Sequence, residues 1–341
     1  MYDYIIVTHI PNFYKVNLYN QLSKKFKILV IFIAGDTVEK RSSDFIALNN
    51  CKFEYRLLYE GNYESRNIKA NIFGIRSILK DCKYKRILVS GWESKEYWYV
   101  VFTNPISKNC LALESTINES SVTGLKNFLK RLFLSRISIA FASGSLHKKL
   151  LEKLSYKGAI KITKGVGIIN KPKRDYLKRE YKKRYLFIGR LSKVKNIEML
   201  VDLFNELEDY MLTIIGAGPL EHQLKRKAKK NIIFEGEISN KEIRKYIESN
   251  DVLMLTSISE TWGLVVEEAI YYGMPVIVSS NCGVSELIHN DINGYVVDLS
   301  KTNLRDIIMN INDDTYNKLT MGVINSSLDT KDSEQVTSYD V

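Results

Sequence analysis

The sequence predicts an α/β protein made of two doubly wound parallel sheets. Three observations carry this prediction. Short, almost continuously apolar runs recur along the chain, helix-period segments separate them, and a strongly charged stretch, "NKPKRDYLKREYKKR", divides the series in two. Apolar runs without polar alternation are the mark of strands covered on both faces. Strands that alternate with helices indicate parallel βαβ layers. A chain of 341 residues is also long for one core, so two domains are expected.

In the first half the strand candidates are 4–9 ("YIIVTH"), 27–34, 86–91, 110–114 and 137–142, with helical periodicity over 14–25 and 68–80. After the charged break come 185–189, 211–216, 231–236, 251–257 and 275–280. The expected organisation is an N-terminal Rossmann-like domain over 1–168, a linker over 169–183, a C-terminal Rossmann-like domain over 184–325, and a polar tail over 326–341 that orders only if it docks. In such an architecture ligands are expected at the carboxyl ends of the strands, in the crevice between the domains.

Composition narrows the class. No run approaches the ~18 apolar residues of a membrane-spanning helix, and "MYDYIIVTHIPN" lacks the basic start and cleavage site of a secretion signal. Cys51, Cys82, Cys110 and Cys282 are scattered, without C-x-x-C spacing, so neither a metal site nor a disulfide framework is expected, and the cytosol is the expected compartment. The net charge of +11 is uneven: residues 1–170 carry 27 Lys/Arg against 13 Asp/Glu (+14), and residues 171–341 carry 23 against 26 (−3). A half this basic suggests a polyanionic partner, namely nucleic acid, anionic lipid or a phosphate-bearing substrate; a solvated basic surface is the other reading.

Three segments of the second half carry chemistry. In "FIGRLSKVKNIEML" a strand ends at Gly189 and a short loop presents Arg190, Ser192, Lys193 and Lys195 ahead of a helix. Cations beside a helix N-terminus suit a phosphate, although a solvated loop reads the same way. In "IIGAGPL" the strand gives way to Gly216 and Gly218, then Pro219 at a first helical position, which permits a tight turn or close ligand approach. In "SETWGLVVEEAIYYGMPVI" a strand ends and a helix begins near Gly263, with Glu260 in the loop. Glu268 is flanked by Val265, Val266, Ala269 and Ile270, so it is expected to be buried and to need a partner, such as paired ligand hydroxyls. Glu267, about 100° round the helix, is expected at the surface.

Taken together and in this order, these segments resemble the retaining glycosyltransferases of family four, which share the GT-B fold of two Rossmann-like domains facing across a cleft. The matched pattern is Glu260, seven residues, Glu268, with "GRLSKVK" upstream, "GAGPL" and "FEGEI" between, and "CGVSELIHNDINGYVV" after it. The resemblance is specific over about 184–300 and architectural before that. It implies a hexosyltransferase using a nucleotide-sugar donor, UDP- or GDP-linked. By the same resemblance Arg190 and Lys195 hold the donor diphosphate, Glu260 faces the transferred sugar, and Glu268 grips the ribose. Thr261, Trp262, Gly263 and Leu264 complete the phosphate and sugar site, Gly216 lines it, and Gly236, Glu237 and Ile238 run along the nucleobase. No D-x-D triplet occurs, so no metal or other cofactor is expected, and the two cations are expected to stabilise the leaving diphosphate.

The first half departs from the family. Where many members carry a histidine after a late N-terminal strand, this chain reads "CLALESTINES", and the first loop reads "HIPNFYKVN" without a glycine pair. Glu114 and His9 are therefore candidate acceptor or sugar contacts, each with an ordinary structural alternative. "GLKNFLKRLFLSR" places Leu125, Phe128, Leu129, Leu132 and Phe133 at helical spacing beside Lys126, Lys130 and Arg131. Such a helix either lies on an anionic membrane or packs on its own sheet. The expected partners are a lipid-diphosphate-linked saccharide acceptor at the inner membrane face and no nucleic acid. The setting is O-antigen or capsule assembly. A sugar-nucleotide epimerase or hydrolase of the same fold, and a basic nucleic-acid-binding protein, are the alternatives.

Overall fold

A computed structural model describes residues 1–39, 44–173 and 179–341. Part of the expected linker, 174–178, lies outside the described residues. The chain divides into two units, Met1–Asn170 with Lys331–Val341, and Lys171–Thr330.

Among the described residues the first unit holds seven strands: β1 (Tyr2–Thr8), β2 (Ile28–Phe32), β3 (Glu54–Leu57), β4 (Tyr84–Val89), β5 (Asn109–Leu113), β6 (Ile139–Ala142) and β7 (Ala159–Ile162). All pair in parallel, in the order β3-β2-β1-β4-β5-β6-β7. Successive residues of β1 face opposite sides. Ile5 and Val7 join one core with Leu29, Ile31 and Val89, while Tyr4 and Ile6 join another with Val30, Phe32 and Phe141. Both faces are covered, which is why the central strands read as unbroken apolar runs.

The second unit holds β8 (Arg184–Ile188), β9 (Met211–Ile215), β10 (Ile232–Gly236), β11 (Val252–Leu255), β12 (Val276–Ser279) and β13 (Gly294–Val297). Their order is β10-β9-β8-β11-β12-β13, again all parallel. Each sheet therefore reverses its winding once, between β1 and β4 in the first unit and between β8 and β11 in the second. Loops at the carboxyl ends of those strand pairs diverge and leave the crevice where such sheets bind ligands.

The closing segment, expected to order only if it docks, is ordered and docked. It forms a helix, Leu328–Thr337, and its last residues belong to the first unit. Lys331, Gln335 and Tyr339 recur every four residues and are buried. Within that unit Tyr339 stacks on Phe141 at 4.4 Å, and its carbonyl accepts a 2.6 Å bond from the Tyr4 hydroxyl. The polar composition hid a narrow stripe that packs.

Candidate functional site

In the second unit, four strand ends build the candidate site. After β8 the chain passes Arg190, which is exposed, and turns through the short helix Lys193–Lys195. Asn196, in the left-handed region at φ 55°, then launches the helix Ile197–Glu206. After β11 the loop runs through Ser257 and Glu260 into the helix Leu264–Tyr271. The two loops are tied where the winding reverses: the Ile258 amide donates to the Val194 carbonyl at 2.8 Å, and the Lys195 ammonium is in direct contact with the Glu260 carboxylate. Ser257 Oγ lies 3.4 Å from the same carboxylate. The sequence-predicted Lys195 and Glu260 are thus brought together, each largely shielded from solvent.

The start of the Leu264–Tyr271 helix is held from both sides. A parallel bridge joins Glu260 to Cys282, and Val284 donates to the Trp262 carbonyl at 3.0 Å. Among the described residues the amides of Thr261, Trp262, Gly263 and Leu264 find no backbone acceptor. A helix N-terminus with open amides and its partial positive charge attracts an anion. Gly263 sits at φ +113°, and a Cβ there would meet the Leu255 side chain at 2.7 Å, so the turn requires glycine.

Glu267 and Glu268 exchange places relative to the sequence expectation. Glu267 is fully buried, and its carboxylate accepts a 2.6 Å bond from the indole Nε1–H of the buried Trp262; Glu268 is half-buried. The core-facing residues of the helix are Val266, Glu267, Ala269 and Ile270. Val266, Ala269 and Ile270 are buried as expected, but Val265 is only half-buried and the stripe is centred one residue earlier than expected. The indole N–H helps to make the buried carboxylate tolerable.

Gly216 follows β9 at φ +128°, and a Cβ there would approach the Gly189 carbonyl oxygen to 2.1 Å, so the loops after β8 and β9 cross with no room for a side chain. Leu191 donates to Ala217 at 2.9 Å and Gly216 to the Gly236 carbonyl at 2.7 Å, which chains the three loops together. Glu237 is exposed and Ile238 half-buried, both beyond β10 at the sheet edge.

The first unit has its own cluster where β1 and β4 diverge. His9 Nε2 lies 3.2 Å from the Glu93 carboxylate, and its ring meets Tyr63 and Tyr97 edge-on at 4.8 and 5.1 Å. Asn12 caps the helix Phe13–Leu22 by accepting from the Lys15 amide, and the buried Lys15 ammonium is in direct contact with the Glu114 carboxylate. Burial pulls Lys15 down to about 7, opposed by the Glu93 carboxylate. Burial also takes His9 to about 4, with Lys15 and Arg66 acting in the same direction. Nearby, His147 Nε2 donates to the Glu114 carbonyl at 3.1 Å, and burial lowers that imidazole to about 4 as well. Sequence reasoning named His9 and Glu114 but missed Lys15, Glu93 and His147, whose partners lie on other loops.

Residues 169–319 match the family of glycosyl transferases group 1. An uncharacterized 41.2 kDa protein in the cps region of Klebsiella pneumoniae is 32% identical over 120 residues, 35% of this chain and 33% of that protein. The O-antigen biosynthesis glycosyltransferase WbnH of Escherichia coli is 28% identical over 179 residues, 51% of this chain and 50% of that protein. The aligned stretches thus span between a third and half of these relatives' lengths. Among solved structures, Anabaena Alr3699/HepE in complex with UDP superposes with a TM-score of 0.70 at 12% identity, covering 97% of each chain. Residues 169–319 thus match the glycosyl transferases group 1, and the two doubly wound α/β units have the GT-B fold.

Proposed function

We propose that this protein is a glycosyltransferase of surface-polysaccharide assembly that moves a sugar, with retention, from a nucleotide-sugar to a lipid-linked saccharide. The observation that carries this reading is the Lys195–Glu260 pair beside the open amides of 261–264, inside the family-matched segment. A cation and a helix N-terminus answer the charge that grows on a departing diphosphate, while the adjoining Glu260 carboxylate can accept sugar hydroxyls. Arg190 adds a second cation from the same loop, and Glu268, half-exposed on the first turns of the helix, is the residue for the ribose. UDP in a structure of the same fold makes a uridine donor the first to test. Titration with UDP-sugars, followed by thermal shift, tests it: a bound donor raises the melting temperature. Glu268→Gln should weaken that response, and a chain indifferent to every sugar nucleotide would remove the reading. Labelled donor incubated without acceptor separates transfer from epimerisation or hydrolysis.

The lipid-linked acceptor is supported by the helix Gly124–Leu134. Phe133 and Leu134 are buried on its inner side, whereas Leu125 (73%), Phe128 (62%), Leu129 (40%) and Leu132 (39%) face solvent. Lys126 and Arg131 are exposed beside them, and Lys130 donates to the Ser121 carbonyl at 2.9 Å. An exposed apolar face rimmed by cations suits the interface of an anionic bilayer. No helix among the described residues is long and apolar enough to cross a membrane. Flotation with phosphatidylglycerol vesicles should recover the wild-type chain and lose the Phe128→Glu variant; equal recovery of both would count against a membrane role.

A further inference from the structure

We propose that the cluster at the carboxyl edge of the first sheet is an acceptor-sugar subsite that selects an uncharged ring, with Glu93 and Glu114 excluding acidic sugars. The proposal rests on the glycosyltransferase reading and adds to it the class of sugar accepted.

Three loops deliver four functional groups to this edge: His9 after β1, with Lys15 in the first turn of the helix that follows; Glu93 after β4; and Glu114 after β5. Their depths differ in a useful way. Lys15 is sunk beneath the surface, Glu114 is one-third exposed and Glu93 half-exposed, so the carboxyl groups form the rim over a buried amine; burial pushes the Glu93 carboxyl up, with Lys15 acting in the other direction. Each ionised carboxylate has about four acceptor positions, of which His9 and Lys15 occupy few. The remainder suit the vicinal hydroxyls of a sugar. The edges of His9, Tyr63 and Tyr97 supply an apolar wall, and the Tyr97 hydroxyl, fully buried, has no hydrogen-bond partner among the described residues.

The charge balance sets the selectivity. The nearby Arg66–Glu96 pair is bidentate, at 2.7 and 3.0 Å, and cancels itself. His9 is uncharged at neutral pH because burial disfavours the imidazolium. That leaves two carboxylates against the single Lys15 amine, a net negative surface within a unit that is otherwise strongly basic. A sugar carboxylate placed here meets like charge, and among the described residues the cations of this cluster, Lys15 and Arg66, already hold Glu114 and Glu96, which is how a site rejects a close analogue.

The test uses the full chain and matched phenyl glycosides, a hexoside and the uronide that differs only in oxidation at C6, compared by saturation-transfer NMR titration. The hexoside should bind at least about tenfold more tightly than the uronide, a gap of about 1.4 kcal/mol. Glu93→Gln should shrink that gap to about threefold, and Glu114→Gln, the second variant, should do the same. Equal binding of the pair, a gap untouched by both variants, or no binding of either glycoside would each overturn the proposal. The UDP-induced thermal shift, read on the same samples, reports separately on the second unit: its loss would indict the donor site and leave the glycoside comparison readable.

Discussion

Replacing Trp262 with Phe removes the indole N–H and part of a buried ring from the second unit, and the structure sets a lower limit on the loss. The indole is 1% exposed and donates at 2.6 Å to a Glu267 carboxylate with no solvent access. A hydrogen bond to a charged group contributes about 1.5–3 kcal/mol, and losing it leaves the carboxylate short of a donor in a place water cannot reach. The hydrogen bond alone therefore makes Trp262→Phe cost about 2–3 kcal/mol, and the space left by the smaller ring adds to it. For a unit of this size each kcal/mol moves the midpoint by about 2–4 °C, so melting should fall by at least about 4 °C. Glu267→Gln makes the buried group cheaper to leave under-bonded. In a double-mutant cycle followed by urea and thermal unfolding, the pair should then be less destabilised than the sum of the singles by about 1 kcal/mol. If Trp262→Phe unfolds within about 0.5 kcal/mol of wild type, or the two changes simply add, the indole does not sustain the buried carboxylate and the reasoning fails.

The remaining predictions concern three other positions. His147 is buried, and a carbonyl can only accept, so Nε2 carries the hydrogen and a further proton must go to Nδ1. With a folded pKa of about 4 against 6.5 for a free imidazole, the unfolded chain binds the proton first. Stability should hold above pH 6.5 and decline by up to about 3 kcal/mol as pH falls to 4; His147→Gln, followed by urea midpoints, should flatten that decline. Gly216→Ala forces a Cβ against the Gly189 carbonyl oxygen at a positive φ, and should cost at least about 2 kcal/mol and weaken donor binding, checked by unfolding and UDP thermal shift. Lys195→Met leaves Glu260 without its ammonium. It should reduce kcat/KM by at least about 100-fold with a smaller effect on thermal stability, and steady-state transfer assays would show whether the ammonium matters.

How much was legible follows from burial. Strands β1, β2, β5, β6, β8, β9, β11 and β12 are buried along most of their length, and β4 along its second half, and they announce themselves as apolar runs. The strands Glu54–Leu57, Ala159–Ile162 and Gly294–Val297 escaped notice because they lie at sheet edges, where the first two bury no residue and the third only its ends. Helix phase was legible only to within a residue, and that residue decided between Glu267 and Glu268. Lys195 and Glu260 were found through a spaced motif; no spacing announces Lys15 with Glu114, which meet across 99 positions of sequence. Local pattern records what a segment buries, whereas a site assembled from separate strand ends is a property of sheet order.

The return of Lys331–Val341 to the first unit has a practical consequence for anyone cutting this gene into pieces. A clone stopped at residue 170 omits Tyr339 and strips the aromatic lid from Phe141 and Tyr4, so the truncated half would expose two rings and aggregate. Appending residues 331–341 to it through a flexible spacer should restore solubility, which makes the last eleven residues the minimal complement for expressing that half alone.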